Sequence, residues 1–290
     1  MKPSNTKWIF LIALSLIWGS SFILILKGLK GLTPIQLGAL RLVFAGCFIL
    51  MIGFRRLPEI PRSQWKLIAL TGLLGNFFPA FLFAIAETRI SSTIGAVLNS
   101  LTPLNSLLFG LLVFGLTYKR RQIIGVFVGL SGSCLLIFGG AQGIGGGGGF
   151  FYASLAVIAT MCYATNVNLI KKHLSNLSPL TITTGNFAVM IVPAIAILGF
   201  SGFFGVWQQP EVTHSILFIL ILGVMGTGVA NLLFYRLIQI SSPVFATSVT
   251  YLIPIVAFFW GLLNDERLTI LQGFGALVIL IGVYLSASRK

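Results

Sequence analysis

Long apolar runs recur along almost the whole chain, and short polar stretches separate them. Each run is about 20 residues long, which is the length that an α-helix needs to cross the hydrocarbon core of a bilayer. We predict ten membrane-spanning helices, at about residues 8–26, 35–54, 67–86, 91–116, 122–139, 150–170, 179–203, 215–237, 244–263 and 269–287. The pattern therefore predicts an all-α integral membrane protein.

The second half of the chain repeats the order of the first half. With an offset of 145 residues, "LTP" at 32–34 aligns with "LSP" at 177–179, and Trp18 aligns with Tyr163. With an offset of 151 residues, further pairs align: Gly72 with Gly223, Gly75 with Gly226, Asn76 with Thr227, Phe83 with Phe234, and Pro103 with Pro254. Since each half holds an odd number of spans, five, the second half enters the membrane from the opposite side. We therefore predict two inverted five-helix repeats, an arrangement that is common in membrane carriers.

The repeats predict the division of the chain. The first repeat takes residues 1–138, the second takes 150–290, and the segment "GGAQGIGGGGG" at 139–149 connects them on the outer side. This glycine run lacks the Lys-Ser/Thr ending of a phosphate-binding loop. We interpret it as a flexible connection between the repeats.

The net charge of +14 belongs to a chain that is 57% hydrophobic and only 8% charged. On a soluble protein such a charge would suggest nucleic acid as the partner, but here the basic residues lie in short loops, where they set orientation. With the N-terminus inside, fourteen Lys and Arg face the cytoplasm and four face the outside. We therefore expect both termini to be cytoplasmic, the protein to be integral to the plasma (inner) membrane, and no nucleic acid to bind.

The sequence does not indicate an enzyme or a metal protein. The three cysteines lie inside apolar spans, and both histidines lie in predicted loops, so no cluster has the spacing of metal ligands. The spans contain no His or Asp that would activate a nucleophile. We expect no catalytic residues, no metal and no cofactor. Since no acidic residue lies in the middle of a span, we also expect no strong coupling to an ion.

Proline occurs at aligned positions of the fourth and ninth spans, as Pro103 in "LNSLTPLN" (98–105) and Pro254 in "VTYLIPIV" (249–256). A proline removes one backbone donor and frees the carbonyl four residues before it. Within a membrane such a break is tolerated where protein or a watery cavity covers it. We therefore predict that both prolines line a central cavity between the repeats. The alternative is that they only kink their helices for packing.

Other polar residues at middle depth are predicted to bind a small-molecule substrate in this cavity. They are Trp18, Asn76, Asn99, Tyr163, Asn166, Thr227, Asn231, Tyr235 and Tyr251. Hydrogen bonding between neighbouring helices is the alternative role for such residues. Arg41 is the one cation well inside a span, and we consider it as a contact for an anionic group of the substrate. A structural contact to Glu87 or to loop carbonyls is the alternative.

Three segments resemble the EamA-type transporters of the drug/metabolite transporter superfamily: "LIWGSSF" (16–22), "LTPIQLGALRLVFAG" (32–46) and "PIVAFFWGLLNDERLTILQGFGALVILIGVYL" (254–285). With the duplicated five-span unit, the resemblance covers essentially the whole chain. It implies a secondary transporter, an exporter of small metabolites such as amino acids or related compounds, working by alternating access at the central cavity.

Alternatives are a carrier of nucleosides, sugars, other metabolites or drugs and, more remotely, an intramembrane enzyme or a lipid-interacting protein. We expect the protein to be a monomer in the lipid bilayer.

Overall fold

The computed structural model describes residues 3–90, 92–138, 149–262 and 270–287. Fourteen α-helices lie in these ranges: α1 (Pro3–Gly28), α2 (Pro34–Gly53), α3 (Trp65–Gly72), α4 (Phe78–Ala86), α5 (Ser92–Asn99), α6 (Thr102–Leu112), α7 (Arg120–Phe138), α8 (Gly149–His173), α9 (Pro179–Phe200), α10 (Pro210–Ile221), α11 (Ala230–Ile240), α12 (Pro243–Thr247), α13 (Val249–Leu262) and α14 (Ile270–Ser286). No strand occurs in this part of the chain. Apart from Gly149, the predicted connection between the repeats lies outside the described residues.

The fourteen helices follow the order of the ten predicted spans, because four of these spans consist of two helices each: α3 with α4, α5 with α6, α10 with α11, and α12 with α13. In the described ranges, six helices are long and apolar enough to cross a membrane: Thr6–Gly28, Pro34–Glu59, Arg62–Ala86, Phe150–His173, Pro179–Phe200 and Pro210–Ile240. Shorter apolar helices accompany them. The protein is thus an all-α membrane protein.

The second helix of each repeat begins with the same local chemistry. At the start of α2, the Thr33 hydroxyl accepts the amide of Gln36, whose side chain in turn accepts the Thr33 amide at 3.0 Å. At the start of α9, the Ser178 hydroxyl accepts the amide of Thr181 at 3.1 Å. A proline follows each cap, where its missing N–H costs nothing. The matching "LTP" and "LSP" segments are therefore helix-start signals.

The third and eighth spans each contain a π-helical segment at the aligned position. Leu73–Phe77 joins α3 to α4, and Leu222–Val229 joins α10 to α11. A π-turn accommodates an extra residue within the helix and occurs often at functional sites. In the second segment, the Thr227 hydroxyl donates to the carbonyl oxygen of Leu222, five residues earlier, at 3.3 Å. Asn76 and Thr227 are both buried by these segments.

The fourth span is broken just before its proline, as the sequence predicts. Helix α5 ends at Asn99, α6 begins at Thr102, and Pro103 lies in the first turn of α6. The Thr102 hydroxyl donates to the Asn99 carbonyl oxygen at 2.7 Å, so the carbonyl at the break has a partner.

The ninth span differs from the prediction. Its interruption lies at Ser248, between α12 and α13, and α13 continues through Pro254 without a break. A proline frees one carbonyl but does not by itself end a helix whose neighbours cover that carbonyl. The two interruptions are therefore not at aligned positions.

The last helices of the two repeats pack closely through glycines. A Cβ at Gly125 would lie 2.6 Å from the backbone nitrogen of Ser286, and a Cβ at Gly282 would overlap the backbone of Gly129. This contact between α7 and α14 joins the repeats away from the centre. The largest hydrophobic core lies at the ends of the helices that are predicted to face the cytoplasm, and it includes Leu11, Leu14, Leu174, Leu237 and Phe245.

Candidate functional site

A cavity lies between the two repeats and contains about 770 Å³ of space outside protein atoms, including its opening. Eight of the residues proposed from the sequence line it: Trp18, Arg41, Asn76, Asn99, Tyr163, Asn166, Thr227 and Asn231. They come from both repeats, and Asn76 and Thr227 are contributed by the two π-helical segments. The inverted repeat therefore brings residues that are far apart in the sequence to one site.

Four proposed residues do not line this cavity. Tyr235 is fully buried beside it, where its hydroxyl takes part in hydrogen bonds between helices. The Tyr251 hydroxyl donates to the carbonyl oxygen of Val126 at 2.8 Å, on the side of α13 that faces α7. Pro103 and Pro254 are buried in α6 and α13 and are absent from the lining. The prediction that the prolines themselves line the cavity is therefore wrong, because residues before them face it.

Sequence reasoning missed other residues of the lining. They are Ser21, Phe22, Ile25, Gly75, Phe83, Thr102, Gly226, Phe234, Thr247, Thr250 and Ile253. Several had a signal: Phe83 and Phe234 align between the repeats, and Thr102 lies in the polar segment before Pro103. The aliphatic residues carried no signal, since nothing in their pattern differs from that of lipid-facing positions.

Aromatic rings form one part of the cavity wall. The Trp18 indole nitrogen donates to the carbonyl oxygen of Gly226 at 2.9 Å, and its ring meets that of Phe234 edge-on at 4.9 Å between centroids. The rings of Phe83 and Tyr163 lie nearly parallel, with centroids 6.2 Å apart. Such rings offer flat apolar faces, and the π-helical carbonyl fixes the orientation of the indole.

Arg41 carries the positive charge of the cavity. Its Nε donates to the Thr227 hydroxyl at 2.7 Å, and this contact links α2 to the second π-helical segment. Glycine at position 223 permits the approach, because a Cβ there would lie 2.9 Å from the Arg41 carbonyl oxygen. No carboxylate occurs among the described residues of the lining.

A network of hydrogen-bonded polar side chains, called here the polar chain, leads from the cavity into the packed interior. The Asn231 side-chain nitrogen donates to Asn76 Oδ1, and Asn76 Nδ2 donates to the Tyr235 hydroxyl at 3.4 Å. The Tyr235 hydroxyl lies 3.0 Å from the amide of Asn186, which in turn contacts Thr71. The polar chain crosses repeatedly between the two repeats, so its hydrogen bonds connect them next to the cavity.

Comparison with known proteins identifies the family. The model of the EamA-like transporter family matches residues 6–138 and 150–288, one match for each repeat. The chain belongs to this family. Among curated proteins, this EamA-like transporter is 27% identical over 295 residues to the uncharacterized inner membrane transporter YedA of Escherichia coli, covering 97% of this chain and 90% of that one.

Other relatives support the same assignment. An S-adenosylmethionine/S-adenosylhomocysteine transporter of Chlamydia trachomatis is 26% identical over 269 residues, which cover 90% of this chain and 82% of that one. A solved crystal structure that is 16% identical superimposes with a TM-score of 0.73 and covers 97% of this chain and 96% of the other, so the two share a fold. The protein is therefore a membrane transporter of the drug/metabolite transporter superfamily rather than an enzyme.

Proposed function

We propose that this EamA-like transporter is a secondary exporter of amino acids or closely related compounds. In this proposal the substrate binds in the central cavity, and the two repeats move against each other to expose that cavity to either side in turn. The protein lies in the plasma (inner) membrane with both termini in the cytoplasm. The observation that supports the proposal most directly is the cavity itself, which both repeats line with amides, hydroxyls and one guanidinium.

The composition of the lining favours a small polar solute. Amides and hydroxyls replace the water that such a solute loses on binding, and aromatic faces cover its apolar part. A solute with a net positive charge is disfavoured, because Arg41 is present and no described lining residue is acidic. An amino acid, with one positive and one negative group, satisfies these conditions.

Counterflow in proteoliposomes tests the proposal. Vesicles are loaded with single unlabelled solutes, namely amino acids, nucleosides and sugars, and uptake of the matching labelled solute from outside is measured. We expect saturable exchange with amino acids, at least tenfold above protein-free vesicles. Asn99→Leu, inside the cavity, should reduce this exchange, whereas Ser131→Leu, on the exposed face of α7, should not. Absence of exchange with amino acids and related compounds would overturn the proposal, even if sugars or nucleosides are exchanged.

The direction of transport needs a separate measurement in cells. Cells that overproduce the exporter should retain less of a labelled amino acid and should resist a toxic amino-acid analogue. If these cells retain as much labelled amino acid as cells that produce the Asn99→Leu variant, or more, the result would contradict export.

A second candidate substrate class is favoured by one of the relatives. The chlamydial protein is named a transporter of S-adenosylmethionine and S-adenosylhomocysteine, which combine an amino-acid group with a nucleoside. S-adenosylhomocysteine, which has no net charge, fits the lining better than S-adenosylmethionine, whose sulfonium gives it a net positive charge. The aromatic wall formed by Trp18, Phe83, Tyr163 and Phe234 offers ring faces to a nucleobase. Inclusion of these two compounds in the counterflow panel separates the candidates, since a nucleoside requirement would abolish exchange of free amino acids.

A further inference from the structure

The serine and threonine hydroxyl groups that line the cavity share one hydrogen-bond direction. Each donates its proton to a backbone carbonyl of its own helix or helix break. The pairs are Ser21 with Ile17 at 2.9 Å, Thr102 with Asn99 at 2.7 Å, Thr227 with Leu222 at 3.3 Å, Thr247 with Pro243 at 2.9 Å, and Thr250 with Thr247 at 2.9 Å. A hydroxyl that has donated its proton retains lone pairs as acceptors. Toward the cavity, these serine and threonine groups therefore offer acceptors, one of which, on Thr227, already accepts from Arg41.

The chain of amides beneath the cavity has a direction as well, and backbone carbonyls fix it. The side-chain amide of Asn186 can form all of its hydrogen bonds in only one orientation. In that orientation Nδ2 donates to the carbonyl oxygens of Ile68 at 2.9 Å and Ile182 at 3.1 Å. Its Oδ1 then accepts from the Tyr235 hydroxyl at 3.0 Å. Tyr235 has one proton to donate, so it accepts from Asn76 Nδ2.

The remaining link follows from this direction. Asn76 uses Nδ2 for Tyr235, and its Oδ1 accepts from Asn231 Nδ2. At the cavity end of the chain, Asn231 therefore presents its other amide atom, Oδ1, which is an acceptor. The described residues supply no hydrogen-bond donor to this oxygen.

Asn166 provides a second acceptor without a donor. The residue is 2% exposed and lines the cavity, yet its Oδ1 has no hydrogen-bond partner among the described residues. The glycine at position 75 gives its amide room, because a Cβ there would overlap Asn166 Nδ2. A buried polar atom without a protein partner costs free energy, and a ligand that supplies the donor recovers this cost.

We propose that the cavity recognises a free amino group: the substrate ammonium donates to Asn166 Oδ1 and Asn231 Oδ1, and Arg41 binds the substrate carboxylate. This inference rests on the proposed function and deepens it by assigning the two poles of the site. Arg41 donates to Thr227, and Asn231 follows Thr227 by four residues, about one turn further along the same span. The two poles are therefore neighbours in the lining, as an amino acid requires, since its ammonium and carboxylate are attached to the same carbon.

A series of matched solutes tests the recognition of the amino group. Proteoliposomes are loaded with L-alanine, L-leucine or L-phenylalanine, with the corresponding 2-hydroxy acid, or with the N-acetylated amino acid, and counterflow of a labelled amino-acid mixture is measured. Replacing the ammonium by a hydroxyl or an amide leaves at least one buried acceptor unpaired. We expect at least one of the three amino acids to drive exchange tenfold or more faster than its two analogues.

Variants of Asn166 connect this preference to the proposed acceptors. Asn166→Leu should reduce the preference for the amino acid to less than about threefold, whereas Asn166→Asp, which keeps the acceptor and the size, should retain it. Thr165→Leu is the matched control, because that neighbouring hydroxyl lies on the exposed side of α8 and bonds to Met161. If Asn166→Leu does not fold, the solute series and Asn166→Asp still decide the question.

Two kinds of failure have different meanings. Exchange driven equally well by the amino acids and by their 2-hydroxy acids would overturn recognition of the amino group and leave a carrier of amino acids. An unchanged preference in a folded Asn166→Leu variant would also overturn it. Absence of exchange with every amino acid and related compound, with or without exchange of nucleosides or sugars, would instead overturn the proposed function.

Discussion

Tyr235 shows how a single hydroxyl group determines what the cavity presents to a substrate. Tyr235 is fully buried outside the cavity lining, and its hydroxyl lies between the side-chain amides of Asn76 and Asn186. Because it accepts from Asn76 and donates to Asn186, the orientation of each amide follows from that of the other. The selectivity of the site thus depends on a residue that the substrate does not reach.

Removal of this hydroxyl is the first prediction. In Tyr235→Phe, the amides of Asn76 and Asn186 each lose a partner while buried, so we expect a loss of about 1–3 kcal/mol in unfolding free energy. Thermal unfolding of the purified protein in detergent measures the change. Tyr284→Phe is the control, since that residue is 56% exposed on α14. An unchanged unfolding midpoint in Tyr235→Phe would show that the chain does not stabilise the fold.

Two helical elements, the π-helical segments, place glycines directly against the cavity. Gly75 leaves room for the amide of Asn166, and Gly226 lies next to Ser21, whose Oγ would be 2.9 Å from an added Cβ. Gly75 and Gly226, which align between the two repeats in the sequence, thus also shape the site. Their small size matters at the cavity because a methyl group would displace a lining side chain.

A methyl group at position 75 gives the second prediction. In Gly75→Ala, the new Cβ overlaps Asn166, so we expect counterflow to fall at least tenfold while the protein still folds. Gly199→Ala provides the control, because no atom lies within 4 Å of a Cβ at that position in α9. That control should keep full transport and gain up to about 1 kcal/mol in stability. Equal transport in both variants would contradict the proposed placement of the site.

At the end of α8, two lysine side chains donate hydrogen bonds to backbone carbonyl oxygens near the ends of other helices. Lys172 is one of the fourteen basic residues that the sequence predicts on the cytoplasmic side, and in the structure its ammonium donates to the Phe114 carbonyl oxygen at 2.7 Å. The preceding Lys171 donates to the carbonyl oxygens of Ile238, Gln239 and Ser241 at the end of α11. These two lysines therefore fix helix ends of both repeats as well as carrying charge.

Substitution of Lys172 gives the third prediction. Lys172→Met removes a charge-assisted hydrogen bond to a helix end, and we expect a destabilisation of about 1–2 kcal/mol. Lys66→Met removes the same charge from an exposed position on the same predicted side of the membrane and should leave stability nearly unchanged. Thermal unfolding in detergent compares the two. Equal losses would attribute the effect to net charge rather than to the bond with Phe114.

At the scale of the whole molecule, the sequence predicts the architecture well and the site in part. Apolar length identifies the spans, and the aligned caps and glycines identify the repeat, because each depends on local chemistry. The break at Ser248 could not be predicted, since a proline marks where a helix can bend and tertiary packing decides where it does. The spacing of Thr227, Asn231 and Tyr235 predicts that they share one face of a helix. Spacing does not show how far along that face the cavity extends, and Tyr235 lies outside it.

The orientation in the membrane gives the fourth prediction. With Cys47, Cys134 and Cys162 replaced by alanine, a membrane-impermeant maleimide applied to intact cells should label Gln208→Cys but not Ser63→Cys. Both positions are exposed in loops at opposite ends of the helices. After permeabilisation, both should be labelled equally. Labelling of Ser63→Cys in intact cells would reverse the proposed orientation.

The paired π-helical segments also bear on ancestry. An extra residue in a helix arises from an insertion, and the same insertion at matching places in both halves is explained by one event in a common precursor. That event then preceded the duplication that joined the halves. Before the duplication, a five-helix chain would have needed a second copy, inserted upside down, to enclose such a cavity.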